Sequence, residues 1–525
     1  MRLACRGHGR GGHQDLRDAH RHAGRSRAGG RPILTYADIP RQLNLASWFV
    51  DRNVEEGRGD RTALIGPTGK TTYTELARLT NRSGNVLREL GVRAEERVLL
   101  VLGDSVEFVA LWYGAQKIGA VTAEAYTFLQ AKDYAYYLDY TRAGVVVADT
   151  STVDRVREAA AGSPYVRHVL VVGDDFEQRA AEAPDALDPA PTTKDDVAIW
   201  KFTTGSTGQP KAAVHPTHSA LLSFDWYARG VLDLRPDDLI LPVPKLFFGY
   251  ARDLAALFPF GVGAAGVVFP ERTTPERIFE LIERHQPTIL VQVPTMMAAM
   301  LADPDAAERD LSCLRLCTSA GEALPRELYD RWMRTFGVEV LDGIGSSEAY
   351  HIYISNRPGR VRPGSTGELV PGYSAHLADD GELSIEGDTA ALLYWNEDEK
   401  TKATFSGDMV RTGDLFERDD DGYFWYRGRA DDLIKVGGIW VAPAEVEDCL
   451  LGHPDVIECA VVGREDNGLT RACAYVVVRR AADEAALQDF VRGRLSPHKV
   501  PRTIEVLPDL PKTPSGKIDR KALRA

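Results

Sequence analysis

The chain has 525 residues, too many for one hydrophobic core, and implies roughly two to four domains. Charged residues make up 26% and hydrophobic residues 44%, as in ordinary globular proteins, while a net charge of −13 argues against nucleic acid or an anionic membrane as the main partner. The cysteines at 5, 313, 317, 449, 459 and 473 contain no CxxC pair, which argues against a zinc site or disulfide framework and for a reducing compartment, the cytoplasm.

Residues 1–31 differ from the rest: eight Arg, four His and seven Gly stand against only Asp15 and Asp18 as acids. Without the apolar stretch of a signal peptide, the segment reads as a disordered leader that contributes nothing to the fold. From about residue 60, short β-branched runs alternate with helical spacing. Residues 97–102 predict a buried strand, 106–119 an apolar helix, and 143–148 and 169–172 further strands. This is the alternation of an α/β protein with a parallel sheet.

After the apolar run 197–200 comes Thr203-Thr204-Gly205-Ser206-Thr207-Gly208-Gln209-Pro210-Lys211. Glycines let backbone N–H groups turn toward one point, hydroxyls add donors without bulk, and Lys211 adds positive charge. A polyphosphate requires these things of a loop; the alternative from composition alone is an ordinary surface turn. The lysine follows Gln-Pro and no Gly-Lys-Ser/Thr stands within these nine residues, so this is not the loop of P-loop nucleotidases.

Residues 254–270 form the longest uncharged stretch. It is shorter than about 20 residues and broken by Pro259 and glycines, so it reads as a buried helix end running into a strand at 265–269 and not as a membrane span. Of two GxGxxG matches, one lies in the leader and the other, from Gly261, precedes a strand where the dinucleotide-binding order requires the reverse. Strands at 289–293 and 314–318 continue the parallel pattern. Past Gly367 come short strands between Gly and Asp turns, at 367–370, 381–385 and 422–426, which is antiparallel, barrel-like material. The remainder is compact α+β, with a helix at 443–451 and strands near 456–463 and 472–479. A polar run from Gly428 to Asp432 sets the boundary. The expected fold class is α/β: a large domain over 32–428, of parallel α/β layers plus a β-barrel-like subdomain, and a small α+β domain over 429–525.

Four further motifs follow the hydroxyl-rich loop: Asp342-Gly343-Ile344-Gly345-Ser346-Ser347-Glu348, Arg411-Thr412-Gly413-Asp414, the stretch from Gly428 to Glu447, and Pro511-Lys512-Thr513-Pro514-Ser515-Gly516-Lys517. Singly each is weak, since Ser-Ser-Glu also serves as a helix cap and Gly-Asp as a turn. In this order, over residues 42–525, they resemble the acyl-adenylate-forming ligases, which include acyl- and aryl-CoA ligases, luciferases and peptide-synthetase adenylation domains. The resemblance implies that a carboxylate is joined to AMP, with ATP, Mg2+ and coenzyme A taking part, and that the C-terminal domain is mobile. It implies that Thr203, Thr204, Gly205, Ser206, Thr207 and Gly208, with Lys211, hold the β- and γ-phosphates. Ser347 is implied to donate to the α-phosphate and Glu348 to bind the metal. Gly321, Glu322 and Ala323, with Asp342, Gly343, Ile344 and Gly345, are implied to flank adenine, and Asp414, beside Arg429, to hold the ribose hydroxyls. Lys517 is implied to reach the reacting carboxylate and α-phosphate. The small domain then swings about Asp431, replacing Lys517 with Lys435, Gly437 and Gly438, whose glycines let a pantetheine arm pass close to the backbone.

The run from Lys245 to Tyr250, the run from His351 to Gly359, and Gly438-Ile439-Trp440-Val441 resemble the benzoate-CoA ligase branch. That implies a small flat pocket lined by Phe248, Gly249, Tyr250, His351 and Ile352, with Tyr250 offering an apolar face and one polar tip. Outside the motif, a lone His such as His351 reads as a satisfied core residue. The chain departs from the branch at Lys201, at Ala212-Ala213 and at Ala251-Arg252-Asp253-Leu254, where small, largely uncharged residues are usual. Arg252 or Asp253 is expected to meet a polar ring substituent, to pair with the other, or to face solvent. The expected activity is an AMP-forming aryl-CoA ligase for benzoate or a hydroxy- or aminobenzoate. Two alternatives stand beside it: an adenylating enzyme that loads a carrier-protein thiol, and a paralogue performing only one half-reaction.

Overall fold

The computed structural model describes residues 27–28, 31–204, 209–430, 432, 434–436, 439–466, 469–480, 483–513 and 518–524. Among these, two large sheets are built on parallel strands. The first has seven strands in the order Leu393–Tyr394, Pro210–Pro216, Val197–Thr204, Val121–Glu124, Arg97–Val101, Val145–Asp149, His168–Val172. The last five run parallel, and the first two pairings are antiparallel. The second has nine, in the order Glu368–Leu369, Ile352–Ser355, Val340–Gly345, Leu316–Ser319, Ile289–Gln292, Leu239–Pro242, Ala265–Val267, Thr62–Gly66, Gly69–Thr72. Its central six are parallel.

The period of two along each strand divides its side chains between two cores. Val98 and Leu100 enter the core shared by both sheets, where Phe108 and Leu111 of the helix Val106–Lys117 also lie. Leu99 and Val101 enter an outer core with Tyr134, Tyr137 and Leu138 of the helix Ala131–Thr141. In the second sheet Ile289 and Val291 join the shared core, and Leu290 joins another outer one with Ile278, Ile282 and Trp332. Strands covered on both faces have no solvent side, which is why they read as continuous apolar runs. The helix Val106–Lys117 is enclosed in the same way, with every residue from Phe108 to Lys117 buried.

A third sheet of antiparallel strands, Ser374–Leu377, Glu382–Glu386, Phe405–Ser406, Met409–Arg418 and Phe424–Arg429, is the expected barrel-like material. The strand expected at 367–370 is divided: Gly367 bridges antiparallel to Phe424 of this sheet, and the next two residues do not join it. Glu368–Leu369 pairs with Ile352–Ser355 on the edge of the second large sheet. The boundary expected after Gly428 falls inside the strand Phe424–Arg429, whose last pairing joins Arg429 to Asp414. At the other end, Arg27–Ala28 pairs with Arg31–Pro32, so the expected leader boundary at 31 passes through a short ribbon.

The C-terminal part packs Val446 and Leu450 of the helix Pro443–Leu451, and Leu487 and Val491 of the helix Glu484–Arg492, onto a sheet of Val456–Asp466, Leu469–Val478 and Thr503–Val506. Pro443 suits the first helical turn because no intrahelical acceptor awaits an N–H there. No helix among the described residues is long and apolar enough to cross a membrane.

Candidate active site

The carboxyl ends of the parallel strands carry the turns expected to form the site, the usual ligand position in open α/β sheets. After the strand Val340–Gly345 the chain turns through 346–351 and returns antiparallel as Ile352–Ser355. A Cβ on Gly345 would lie 2.5 Å from the His351 carbonyl oxygen, so glycine is what lets the returning chain come this close. Successive carbonyls of the turn are held by different parts of the fold. His215 Nε2 donates to Ser347 O at 2.6 Å, Ala391 N to Glu348 O at 2.8 Å, and Thr389 Oγ1 to Ala349 O at 3.0 Å. Lys201 Nζ donates to Tyr350 O at 2.6 Å, and Ser346 N closes the turn on His351 O at 3.3 Å. Because a carbonyl only accepts, His215 carries its proton on Nε2, and burial lowers its pKa to about 3.

On one side of this turn lies the hairpin of Val197–Thr204 and Pro210–Pro216, with Thr203 opposite Lys211 and Thr204 opposite Pro210. Gly205, Ser206, Thr207 and Gly208 lie outside the described residues. Lys211 Nζ sits 3.6 Å from the centroid of the Tyr394 ring, and the Tyr394 hydroxyl donates to Glu348 Oε1 at 2.5 Å. Burial lowers the Lys211 pKa while Glu348 opposes the shift. The Ser347 hydroxyl reaches Phe202 O at 3.5 Å. Lys211 and the adjacent pair Ser347-Glu348, far apart in sequence, are thereby brought together around Tyr394. Among the described residues no three His, Cys, Asp or Glu side chains converge on one point. A Mg2+ ion here would take the Glu348 carboxylate together with substrate phosphate oxygens, an arrangement this ion favours.

Asp414 and Arg429 face each other on paired strands, with Nη1 to Oδ1 at 3.3 Å, and Arg429 also donates to Thr412 O at 2.9 Å. The Gly321-Glu322-Ala323 turn follows the strand Leu316–Ser319. Glu322 accepts from Thr295 N at 3.1 Å and Thr295 Oγ1 at 2.8 Å, at the start of the helix Pro294–Ala302. Gly343 and Ile344 continue their strand opposite Ser355 and Ile354. Asp342 is buried with Oδ1 unpartnered among the described residues, and burial holds its carboxyl well above the usual range.

On the other side of the turn, the helix Gly249–Ala256 brings Tyr250 to His351, ring centroids 5.7 Å apart. Tyr227 and Phe258 lie 5.4 and 4.9 Å from the same imidazole. Tyr250 Oη and Thr318 Oγ1 are 2.7 Å apart. Burial lowers the His351 pKa to about 3, so the ring is neutral. Ile352 is buried beside it, and Phe248 packs on Tyr126 with centroids 5.0 Å apart. Tyr126, Tyr227, Phe258, Thr318 and Tyr394 are contacts that sequence reasoning missed, each a single side chain outside any motif.

Behind Gly249 lies a buried charge cluster. Lys201 donates to Asp253 Oδ2 at 2.6 Å, Arg252 to Asp253 Oδ1 at 2.9 Å and to Glu124 Oε1 at 2.6 Å, and Trp112 Nε1 to the same Glu124 oxygen at 2.7 Å. Of the three expectations for Arg252 and Asp253, pairing is the one the structure bears out; both are buried and neither faces solvent. Burial pulls Lys201 down to about 8 against the attraction of Asp253. For Asp253 burial acts upward, but Arg252 and Lys201 outweigh it and hold the carboxyl below its ordinary value.

Asp431, Gly437, Gly438 and Lys517 lie outside the described residues. Lys435 has its backbone in the strand Ile434–Val436, paired with Ile439–Val441, and Lys512 bridges Ile518 across the segment that carries Lys517.

The chain belongs to the AMP-binding enzyme family, which matches residues 50–395, with the family's C-terminal domain matching residues 445–517. Within the acyl-adenylate-forming ligases it falls in the benzoate-CoA ligase branch. It is 41% identical to a benzoate–CoA ligase of Thauera aromatica, over 93% of this chain and 97% of that protein. It is also 41% identical to a 4-hydroxybenzoate–CoA/benzoate–CoA ligase of Rhodopseudomonas palustris, over 92% and 94%. Among solved structures, an anthranilate CoA ligase in complex with anthranoyl-AMP superposes with a TM-score of 0.90 at 37% identity, covering 94% of this chain and 98% of that one. A benzoate CoA ligase from Burkholderia xenovorans LB400 gives 0.86 at 39% identity, covering 92% and 100%.

Proposed function

We propose that this protein is an AMP-forming aryl-CoA ligase that activates benzoate or a hydroxy- or aminobenzoate with ATP and transfers the acyl group to coenzyme A. The observation that carries this reading is the turn 346–351. It sets Glu348 against Tyr394 and Lys211 at one end and His351 against Tyr250 at the other. The named relatives, which act on benzoate and hydroxybenzoate, support the aromatic class.

In the first half-reaction a carboxylate oxygen attacks the α-phosphorus and the bond to pyrophosphate breaks, giving the mixed anhydride with AMP. Two anions must approach, so fixed positive charge and positioning dominate the barrier. Lys211 and the loop from Thr203 to Gly208 bind the outer phosphates, Ser347 donates to the α-phosphate, and Lys517 reaches the reacting oxygens. Glu348 would hold Mg2+, which supplies further neutralisation of the phosphates. Asp414, oriented by Arg429, accepts from the ribose hydroxyls, while the turn at 321–323 and the strand end at 342–345 flank adenine. Tyr250 and the neutral His351 wall the ring of the acid, with Phe248, Gly249 and Ile352 completing the pocket. In the second half-reaction the CoA sulfur attacks the acyl carbon, the bond to AMP breaks and the thiol proton is released. Lys435, Gly437 and Gly438 border the path of the pantetheine arm, and the small domain turns at Asp431.

A carrier protein presents the same pantetheine thiol, and turnover with free CoA separates the two acceptors. The described cysteines are all free thiols, which supports a reducing compartment, the cytoplasm. Mass detection of thioesters across benzoate, hydroxybenzoates and aminobenzoates, with MgATP and CoA, tests the reading. At least one aryl-CoA is expected; none from folded protein would refute it.

A further inference from the structure

Lys201 has no part in the reaction set out above, yet it touches three parts of the site's frame. Its ammonium donates to the Tyr350 carbonyl and to Asp253, each at 2.6 Å, and lies 3.6 Å from the centroid of the Tyr350 ring. Its stem backs Gly249, where a Cβ would meet Nζ at 3.0 Å, Cε at 3.2 Å and Cδ at 3.3 Å. Asp253, the Tyr350 carbonyl and the Tyr350 ring account for its three N–H groups.

Tyr350 needs such a hold. Its φ of +73° is uncommon for a residue with a Cβ and persists where the surroundings fix it. It stands two residues after Glu348 and one before His351, so the direction of its peptide sets both. Asp253 is itself held by Arg252, Arg252 by Glu124, and Glu124 by Trp112, which anchors the ammonium through three elements of the large domain. An apolar side chain at 201 would fill the volume but leave the Tyr350 carbonyl without this donor.

We propose that Lys201 is a positioning residue: through the Tyr350 carbonyl and the underside of Gly249 it fixes the aryl pocket relative to the α-phosphate site. The inference rests on the aryl-ligase reading.

The double variant Lys201→Leu/Asp253→Ala tests it, because it removes one buried charge of each sign and leaves Arg252 paired with Glu124. Calorimetry on the full chain would measure affinity for a non-hydrolysable benzoyl-sulfamoyl adenosine and, separately, for MgATP. Urea unfolding would report stability. The expected result is a folded, cooperatively unfolding variant whose urea midpoint falls, because the buried Tyr350 carbonyl loses its donor, and whose affinity for the aryl-adenylate analogue falls by at least about tenfold, several-fold more than its affinity for MgATP. Analogue affinity within twofold of wild type would overturn the inference. If the double variant does not fold, Lys201→Met, which keeps the stem and leaves Asp253 paired with Arg252, is read in the same way. Failure of both to fold would assign the cluster a structural role and also overturn the proposal. A wild-type chain that ignores the analogue would instead sink the aryl-ligase reading.

Discussion

The Tyr394 hydroxyl donates to Glu348 at 2.5 Å while the face of the same ring lies 3.6 Å from the Lys211 ammonium. One aromatic side chain thus spaces the proposed metal ligand from the proposed phosphate-binding cation, which would otherwise pair directly and withdraw both from substrate. Tyr394→Phe keeps the ring and removes the hydroxyl. The Mg2+ concentration for half-maximal rate should change about three- to tenfold, the scale of one hydrogen bond to a charged group, while KM for the aryl acid changes less than twofold. A rate titration against Mg2+ at fixed ATP checks this, and an unaltered curve would count against Glu348 as the ligand.

Tyr250→Ala removes the ring that faces His351 and the hydroxyl 2.7 Å from Thr318. KM for the acid should rise by about tenfold or more, the scale of a lost aromatic wall, with KM for ATP nearly unchanged. Steady-state kinetics with each substrate varied in turn provide the check. Equal losses for both would refute the assignment of Tyr250 to the acid.

His215 and His351 are buried and neutral, with pKa values lowered to about 3 by burial. An unfolded histidine titrates near 6.5, so between about pH 6.5 and 3 the unfolded chain binds protons that the folded chain does not. Stability from these two groups is present above that window and falls as pH falls, by about 2 kcal/mol each at pH 5. Asp104, raised to about 6 by burial, acts in the opposite sense, so the total slope mixes signs. His215→Gln isolates one contribution: its urea midpoint should fall less than that of wild type between pH 7 and 5. Equal falls would contradict a neutral buried His215.

Much of this fold was legible in the sequence because the parallel strands are covered on both faces. Runs such as 98–101 therefore have no polar positions to blur them. The turn 346–351 was legible because Gly345 before it and the hydroxyls of Ser346 and Ser347 within it answer to backbone approach and phosphate chemistry. Its supports were not. Tyr394 reaches Glu348 from a two-residue strand, and Glu124 reaches Arg252 from another sheet strand, so no local pattern links either pair. Lys201, Arg252 and Asp253 stood out by residue type alone, and only the packing showed that their charges meet. The sheet that Glu368–Leu369 joins was not legible because two residues following a glycine carry no mark of which sheet edge they will pair with.

The most direct test is aryl-acid-dependent exchange of labelled pyrophosphate into ATP, run without CoA. The account predicts exchange that requires both Mg2+ and an aromatic carboxylate, is abolished by Glu348→Gln, and is followed by release of AMP and an aryl-CoA when CoA is added. Folded protein that shows no exchange with any benzoate would contradict it.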